Sequence, residues 1–266
     1  MSNLTQQIIE DLSLIRKSSP LVHNITNYVV MNNTANALLA VGASPIMAHS
    51  IDEVEDMVTI SGVLVINMGT LSEPWVQSME KAIAKASTLS KPIVFDPVGA
   101  GASAYRNTAI RRILDAGSPS IIRGNASEIL ATLSSSGKTK GVESTDSSES
   151  AIGSAQSLSR VTKGVVVISG ATDYIVKDTD IRKTLNGDPI MTKVTGMGCT
   201  ATAICGAFAA VQKDYQRAAF SAMAVMGIAG EMAKVKSSGP GSFQLHFLDA
   251  LYEISEDEIR KYFKET

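Results

Sequence analysis

Only two of the 266 residues are cysteine, Cys199 and Cys205. Their spacing fits neither a C-x-x-C redox pair nor a zinc knuckle. On a helix, six residues turn a side chain by roughly 240°, so the two thiols point apart. A disulfide framework is therefore not expected, and a reducing cytoplasm is the natural setting. An excess of one charge is also missing: 24 Lys and Arg stand against 26 Asp and Glu, a formal net charge of −2. No basic field exists to hold nucleic acid, and no polybasic stretch addresses an anionic membrane. Long hydrophobic runs are scarce too. The most apolar, AAFSAMAVMGIAGEMA (218–233), is interrupted by Ser221 and Glu231. It falls short of the roughly 20 residues that span a bilayer and reads as a buried helix. The N-terminus, MSNLTQQIIEDLSLIRK, carries acidic residues in an amphipathic pattern and lacks a signal-peptide core. Aromatic residues are only 5% of the chain against 44% hydrophobic. The remaining expectation is a globular protein with a core of small aliphatic residues and a small-molecule ligand.

What the chain does contain is a βαβ rhythm. SPIMA (44–48), GVLVIN (62–67), PIVFD (92–96), PSIIRG (119–124) and GVVVIS (164–169) read as central strands of a parallel sheet, apolar on both faces. Between them, YVVMNNTANALLAVG (28–42) predicts a helix stopped by Gly42. SEPWVQSMEKAIAKAS (72–87) predicts another, with Ser72 as cap and Pro74 in the first turn. The pattern predicts a doubly wound sheet with right-handed crossovers. After about residue 175, DYIVKD and IRKTLNGDPI read as a small antiparallel excursion turning at Asn186–Gly187, and everything from Gly198 onward reads as helix. SSSGKTKGVESTDSSES (134–150) reads as a polar surface loop. Its GKT is not a Walker A motif, because Thr132 stands where that motif needs glycine and a helix precedes it. No internal repeat or domain linker is visible.

Ligands of open α/β sheets collect beyond the carboxyl ends of the strands. Those ends carry Met47 and His49, Asn67, Asp96 with PVGAGAS, Arg123 with NASE, and Ser169 with GAT. Acidic, basic, hydroxyl and glycine-rich elements thus converge on one edge. In NASE, Asn125 can cap a helix with Glu128 three residues on, a capping pattern. Paired with Asp96, Glu128 also becomes a candidate for holding hydrated Mg²⁺ through oxygen. Met47 would ordinarily be core filler, and only its strand-end position makes it a lid over an apolar ring. Arg123 and Ser169 divide evenly between ligand contacts and satisfying backbone or solvent. His49 and His246 read as structural or exposed.

TGMGCT (195–200) precedes the small-residue run TATAICGAFAAV. A helix starting near Gly198 leaves amides free for a phosphate oxygen. The bland alternatives are a tight turn before a packed helix and an inert buried thiol at Cys199. Helix N-termini lower a thiol's pKa from about 8.5, so a partly ionised Cys199 is the expectation at this position.

LVHNITNYVVMNNTANALLAVGASPIM, LVINMGTL, DPVGAGAS, R-G-N-A-S-E, K-G-V-E-S, TGMGCT and GPGSF occur along nearly the whole chain in an order that resembles the hydroxyethylthiazole kinase family. G-x-G-C in place of the G-x-G-D of most ribokinase-like kinases is the most discriminating piece. The resemblance implies a three-layer α/β/α ribokinase-like fold, a mostly parallel central sheet with helices on both faces, with residues 1–266 as one kinase domain. It implies ATP-dependent phosphorylation of the alcohol of 4-methyl-5-(2-hydroxyethyl)thiazole in the thiamine pathway. It further implies Met47, Gly196 and Asn24 on the thiazole, Asn24 from across a subunit boundary. Arg123 and Ser169 would hold ATP, Asp96 and Glu128 would organise Mg²⁺, and Cys199 would occupy the catalytic slot. A homotrimer with sites between subunits follows by the same resemblance. Met197 departs from the family's usual alanine, so its side chain must point away from the nucleotide. Two other readings compete. A pyrimidine kinase or hydrated-nicotinamide dehydratase of the same fold resembles the aspartate version of the turn. A non-catalytic sensor would not need both Asp96 and Glu128.

Overall fold

Runs of β-branched residues line up as the centre of a single sheet because both of their faces can be covered by helices. The computed structural model describes residues 3–137 and 148–265. The strands are Leu21–Ile25 (β1), Ser44–Ile46 (β2), Val63–Asn67 (β3), Ile93–Asp96 (β4), Ile121–Asn125 (β5), Val165–Ser169 (β6), Asp173–Lys177 (β7) and Asp180–Thr184 (β8). They form one sheet in the order β2-β1-β3-β4-β5-β6-β7-β8, parallel through β6 and antiparallel from β6 to β8. The helices are Asn3–Ser18 (α1), Met31–Val41 (α2), Val54–Ile60 (α3), Glu73–Thr88 (α4), Ala104–Ala116 (α5), Ala126–Ser135 (α6), Ser148–Thr162 (α7), Met197–Val211 (α8), Tyr215–Val235 (α9), Pro240–Glu253 (α10) and Glu256–Tyr262 (α11).

Alternation along the strands builds two cores. Val63, Val65, Val94, Ile121, Val165 and Val167 pack with residues of α1, α2, α8, α9 and α10. Their neighbours Leu64, Ile66, Phe95, Ile122 and Val166 pack with α3 to α7. Each such buried aliphatic contributes about 1.5–3 kcal/mol. The result is the three-layer α/β/α arrangement the sequence predicts. The same period of two carries past the apolar residues. Asn67, Asp96, Arg123 and Ser169 therefore inherit the face of Val65, Val94, Ile121 and Val167, the side covered by α8. The length reading of the apolar run is corrected: α9 has 21 residues and alone among the described helices is long and apolar enough to cross a membrane, while its burial in the core is as its sequence predicts.

Four local readings need correction. LVHNI is a full strand, β1, although the polar His23 and Asn24 interrupt its apolar run. SPIMA is not a central strand: β2 is a sheet edge of three half-buried residues, and Met47 lies beyond it. The hairpin turns at Asp178, whose φ is +53°, and Asn186–Gly187 comes after β8. Ser72 does occupy the cap of α4, but its side chain makes no capping hydrogen bond. Gly42 stops α2 in a left-handed conformation, as expected. Residues 138–147, which include most of the predicted polar loop with K-G-V-E-S and all of GKT but Gly137, lie outside the described residues.

Candidate active site

Asn67 and Asp96 stand directly opposite each other at the ends of β3 and β4. Asn67 Nδ2 donates to Asp96 Oδ2 at 2.8 Å, and Thr202 Oγ1 of α8 donates to the same oxygen at 2.8 Å. Asn67 Oδ1 accepts from Asn27 Nδ2 at 2.7 Å and from the Gly69 amide at 3.0 Å. Asn27 Nδ2 also donates to Cys199 Sγ at 3.5 Å. A polar chain thus runs Cys199–Asn27–Asn67–Asp96–Thr202 across β1's end, β3, β4 and α8, buried except at the half-buried Cys199. Asn27 and Thr202 are the members that sequence reasoning passed over. Asn27's signal was its place two residues beyond a strand that went unrecognised, while Thr202 is hidden in the small-residue run of α8.

Burial pushes the Asp96 carboxyl up to about 6, against the opposing pull of the nearby Arg123 cation and the Thr202 hydroxyl. Cys199 is the third residue of α8, yet its thiol lies above the ordinary range. Burial is the main cause and the Asp96 charge the next, and together they outweigh the Asn67 and Asn27 amides and Arg123. The expected partly ionised thiol is therefore corrected to a protonated one. Cys205, on the same helix, is fully buried and its thiol is pushed up to about 12. Both cysteines are free.

Glu128 does what its spacing predicts and one thing more. Asn125 Oδ1 accepts from the Glu128 amide at 2.9 Å, and Glu128 Oε2 accepts from the Asn125 amide at 2.9 Å, a closed capping box. Its other oxygen, Oε1, accepts from the Gly99 amide at 2.9 Å. The glycine-rich turn after Asp96 is thereby tied to the start of α6.

The TGMGCT turn leads straight into α8. Gly196 is its N-cap with φ +85°, a conformation that glycine adopts without strain. A Cβ there would lie 2.9 Å from Val30 Cγ1, and one on Gly198 would lie 2.7 Å from Arg123 Nη1. The second approach sets Arg123 Nη1 against the helix start, and the buried Nε of the same guanidinium has no hydrogen-bond partner. Met197 is 8% exposed and meets residues of α2 and α10, but it also lines the cavity beside the turn, so it is not turned clear of that space as expected.

A cavity of about 620 Å³ opens beside this turn. Arg123, Ser169, Gly196 and Gly198 line it together with an apolar wall of Met191, Met223 and Met226. Ser169 Oγ donates to Gly124 O at 3.2 Å. On the far wall Asn186 is fully engaged: Nδ2 donates to Glu231 Oε1 at 3.0 Å and Tyr262 O at 2.7 Å, and Oδ1 accepts from the Lys264 amide. The Gly187 amide joins Glu231 Oε1 at 2.8 Å. Glu231, which breaks the apolar run of α9, is the anchor of that wall.

Met47, Asn24, Asp96, Glu128 and Cys199 do not line the cavity. Met47 is half-buried against the α8-side core. Asn24 is 1% exposed, donates to Val22 O at 3.0 Å and leaves Oδ1 buried without a partner. His49 stacks on Trp75 at 4.0 Å and His246 pairs with Asp249 on its own helix, structural roles for both.

A model of the hydroxyethylthiazole kinase family matches residues 12–257. Hydroxyethylthiazole kinase of Leptospira biflexa is 73% identical over 259 residues, covering 97% of each chain. The solved structure of a hydroxyethylthiazole kinase protein from Pyrococcus horikoshii superposes with a TM-score of 0.90 at 43% identity, covering 97% of this chain and 98% of that one. A ribokinase-like superfamily protein from Enterococcus faecalis, 12% identical, shares the fold with a TM-score of 0.63 over 96% of each chain. With its sheet, its glycine turn and its thiol in hand, the chain belongs to the hydroxyethylthiazole kinase family.

Proposed function

We propose that this protein transfers the γ-phosphoryl group of ATP to the primary alcohol of 4-methyl-5-(2-hydroxyethyl)thiazole. The observation that carries this reading is the Arg123 guanidinium, packed on Gly198 between the nucleotide-sized cavity and the polar chain that ends at Cys199. The alcohol oxygen attacks Pγ, the bond from Pγ to the bridging oxygen breaks, and ADP leaves. Such transition states are loose, so positioning and charge neutralisation dominate and a strong base matters little. Arg123 and Ser169 bind the phosphates in this account, and the amides of Gly198 and Cys199 meet the charge that develops on Pγ. Sγ of the protonated Cys199 accepts the alcohol's O–H and holds the oxygen in line. The proton leaves late, to a phosphoryl oxygen or water. Met47, Gly196 and Asn24 complete the thiazole site in this account.

The residues at the end of β4 and start of α6 suit Mg²⁺. Both side-chain hydrogen bonds to Asp96 fall on Oδ2, which leaves Oδ1 for a hard cation, and Glu128 offers a fixed second carboxylate. Among the described residues no group of three or more His, Cys, Asp or Glu could hold a metal, so the ion would arrive with the nucleotide's phosphates. When bound, it neutralises phosphate charge. A homotrimer belongs to the same proposal, supported by Tyr28 and Val29. These adjoin Asn27 and are 65% and 60% exposed, an apolar surface that a neighbouring subunit would cover. Two free thiols support a reducing, cytoplasmic setting.

The test is turnover of ATP with the thiazole alcohol and with pyrimidine and sugar alcohols, products identified by mass. Thiazole phosphate formed in step with ADP is the expected result. A preferred pyrimidine acceptor, or no ATP-dependent product, overturns it.

A further inference from the structure

Arg106 stands in the first turn of α5, directly after the glycine-rich turn, and is half-buried. All three of its side-chain hydrogen bonds go to main-chain carbonyls. Nη1 donates to Met68 O and to Val98 O, each at 2.6 Å, and Nη2 donates to Gly69 O at 2.6 Å. Met68 and Gly69 follow Asn67 immediately, and Val98 is two residues past Asp96. These are the two residues whose side chains join the polar chain of the site.

The β3–β4 ladder ends there. Met68 N still donates to Asp96 O at 3.2 Å, and beyond it the two turns diverge. Arg106 spans the gap. Its guanidinium also packs on Gly99, where a Cβ would lie 3.4 Å from Nε, and Gly99's amide is the one that Glu128 Oε1 accepts. The Gly69 peptide is pinned at both ends, its amide by Asn67 Oδ1 and its carbonyl by Arg106. A planar fork can reach three carbonyls on two turns at once, whereas an ammonium on a flexible stem cannot hold that geometry.

We propose that Arg106 is a positioning residue: it fixes the turns after Asn67 and Asp96 against each other, so that the carboxylate and the Cys199 thiol address one point. This rests on the phosphoryl-transfer reading above. The molecule supplies its own control. Arg16 uses the same chemistry, donating to Ile254 O at 2.7 Å, Tyr252 O at 3.2 Å and Leu251 O at 3.3 Å, at the end of α10 and away from every residue of the site.

Arg106→Lys, Arg106→Met and Arg16→Lys are compared with the parent protein. The readouts are thermal midpoint, kcat, KM for each substrate, and the rate at which iodoacetamide alkylates Cys199 without substrates, assigned by peptide mapping. Arg106→Lys is expected to lose about tenfold or more in kcat with each KM held within about threefold, because misplacement of reacting groups is paid in rate. Cys199 alkylation is expected to quicken by about threefold or more as the chain that holds it loosens. Arg16→Lys lowers the midpoint and leaves kcat and alkylation at parent values. A lowered midpoint in Arg106→Lys with unchanged kcat and unchanged alkylation overturns the proposal. Should Arg106→Met fail to fold, the lysine variant decides. Should the parent protein not phosphorylate the thiazole, the functional reading fails and the alkylation rates alone decide the role of Arg106.

Discussion

On the acceptor side of the site, Cys199, Asn27, Asn67, Asp96 and Thr202 are joined in one chain of hydrogen bonds. On the nucleotide side, Arg123, Ser169 and the glycine turn face a cavity of about 620 Å³ walled by methionines. The first region is tightly interlocked, with Asp96 Oδ1 left without a side-chain hydrogen bond; the second is open, with the Arg123 Nε unpartnered. The difference matches what each must do. A small alcohol has to be held on one line toward phosphorus, and interlocked polar groups in a low-dielectric interior resist displacement. A large, flexible nucleotide needs room, and its charged tail can be gripped by one cation and a helix start. Substitutions on the two sides should therefore fail in different ways, the acceptor side in kcat and the nucleotide side in the KM for ATP.

The sharpest break in that comparison is Asp96→Asn. It keeps the size and loses the charge, so kcat is expected to fall at least about 10²-fold while the thiazole KM changes little, measured at saturating ATP. Asn67→Leu comes next. It leaves Asp96 and Asn27 short of partners, costs about 1–3 kcal/mol of stability and lowers kcat more than either KM. Thermal unfolding and steady-state kinetics read both. Glu231→Ala attacks the other region by freeing the Asn186–Gly187 wall, and is expected to raise the ATP KM by about three- to tenfold with kcat nearly kept. The smallest effect concerns the thiol itself. Its pKa is raised, so less thiolate exists at pH 8 than for a free cysteine, and alkylation of Cys199 should be slower than that of a model thiol and should quicken only as pH rises further. Alkylation at pH 7–8 as fast as the model thiol would restore the ionised form.

Much of this was legible because the layered core speaks through short apolar runs. Strands β3 to β6, helices α2 and α4, and the buried α9 follow from periodicity and punctuation alone. The strand ends also name Asn67, Asp96, Arg123 and Ser169, since ligands of open α/β sheets collect beyond the carboxyl ends of the strands. The failures have physical reasons. β1 hides because His23 and Asn24 are buried polar residues with specific partners, which pattern reading takes for a loop. Asn-Gly is a strong hairpin signal, yet Asn186–Gly187 is held by Glu231 and the hairpin turns at Asp178 instead. The expected ionised thiol fails because a helix start acts locally, while burial and the charge of Asp96 come from elements distant in sequence. Arg106 gave no sign at all, since its partners are carbonyls, which no residue type announces.

Turnover of Cys199→Ala at saturating ATP and thiazole alcohol, set beside its thiazole KM, tests the placement of the thiol on the acceptor hydroxyl most directly. The account predicts a clear loss of kcat with the thiazole KM almost unchanged. A folded Cys199→Ala protein that turns over at the parent rate would contradict it.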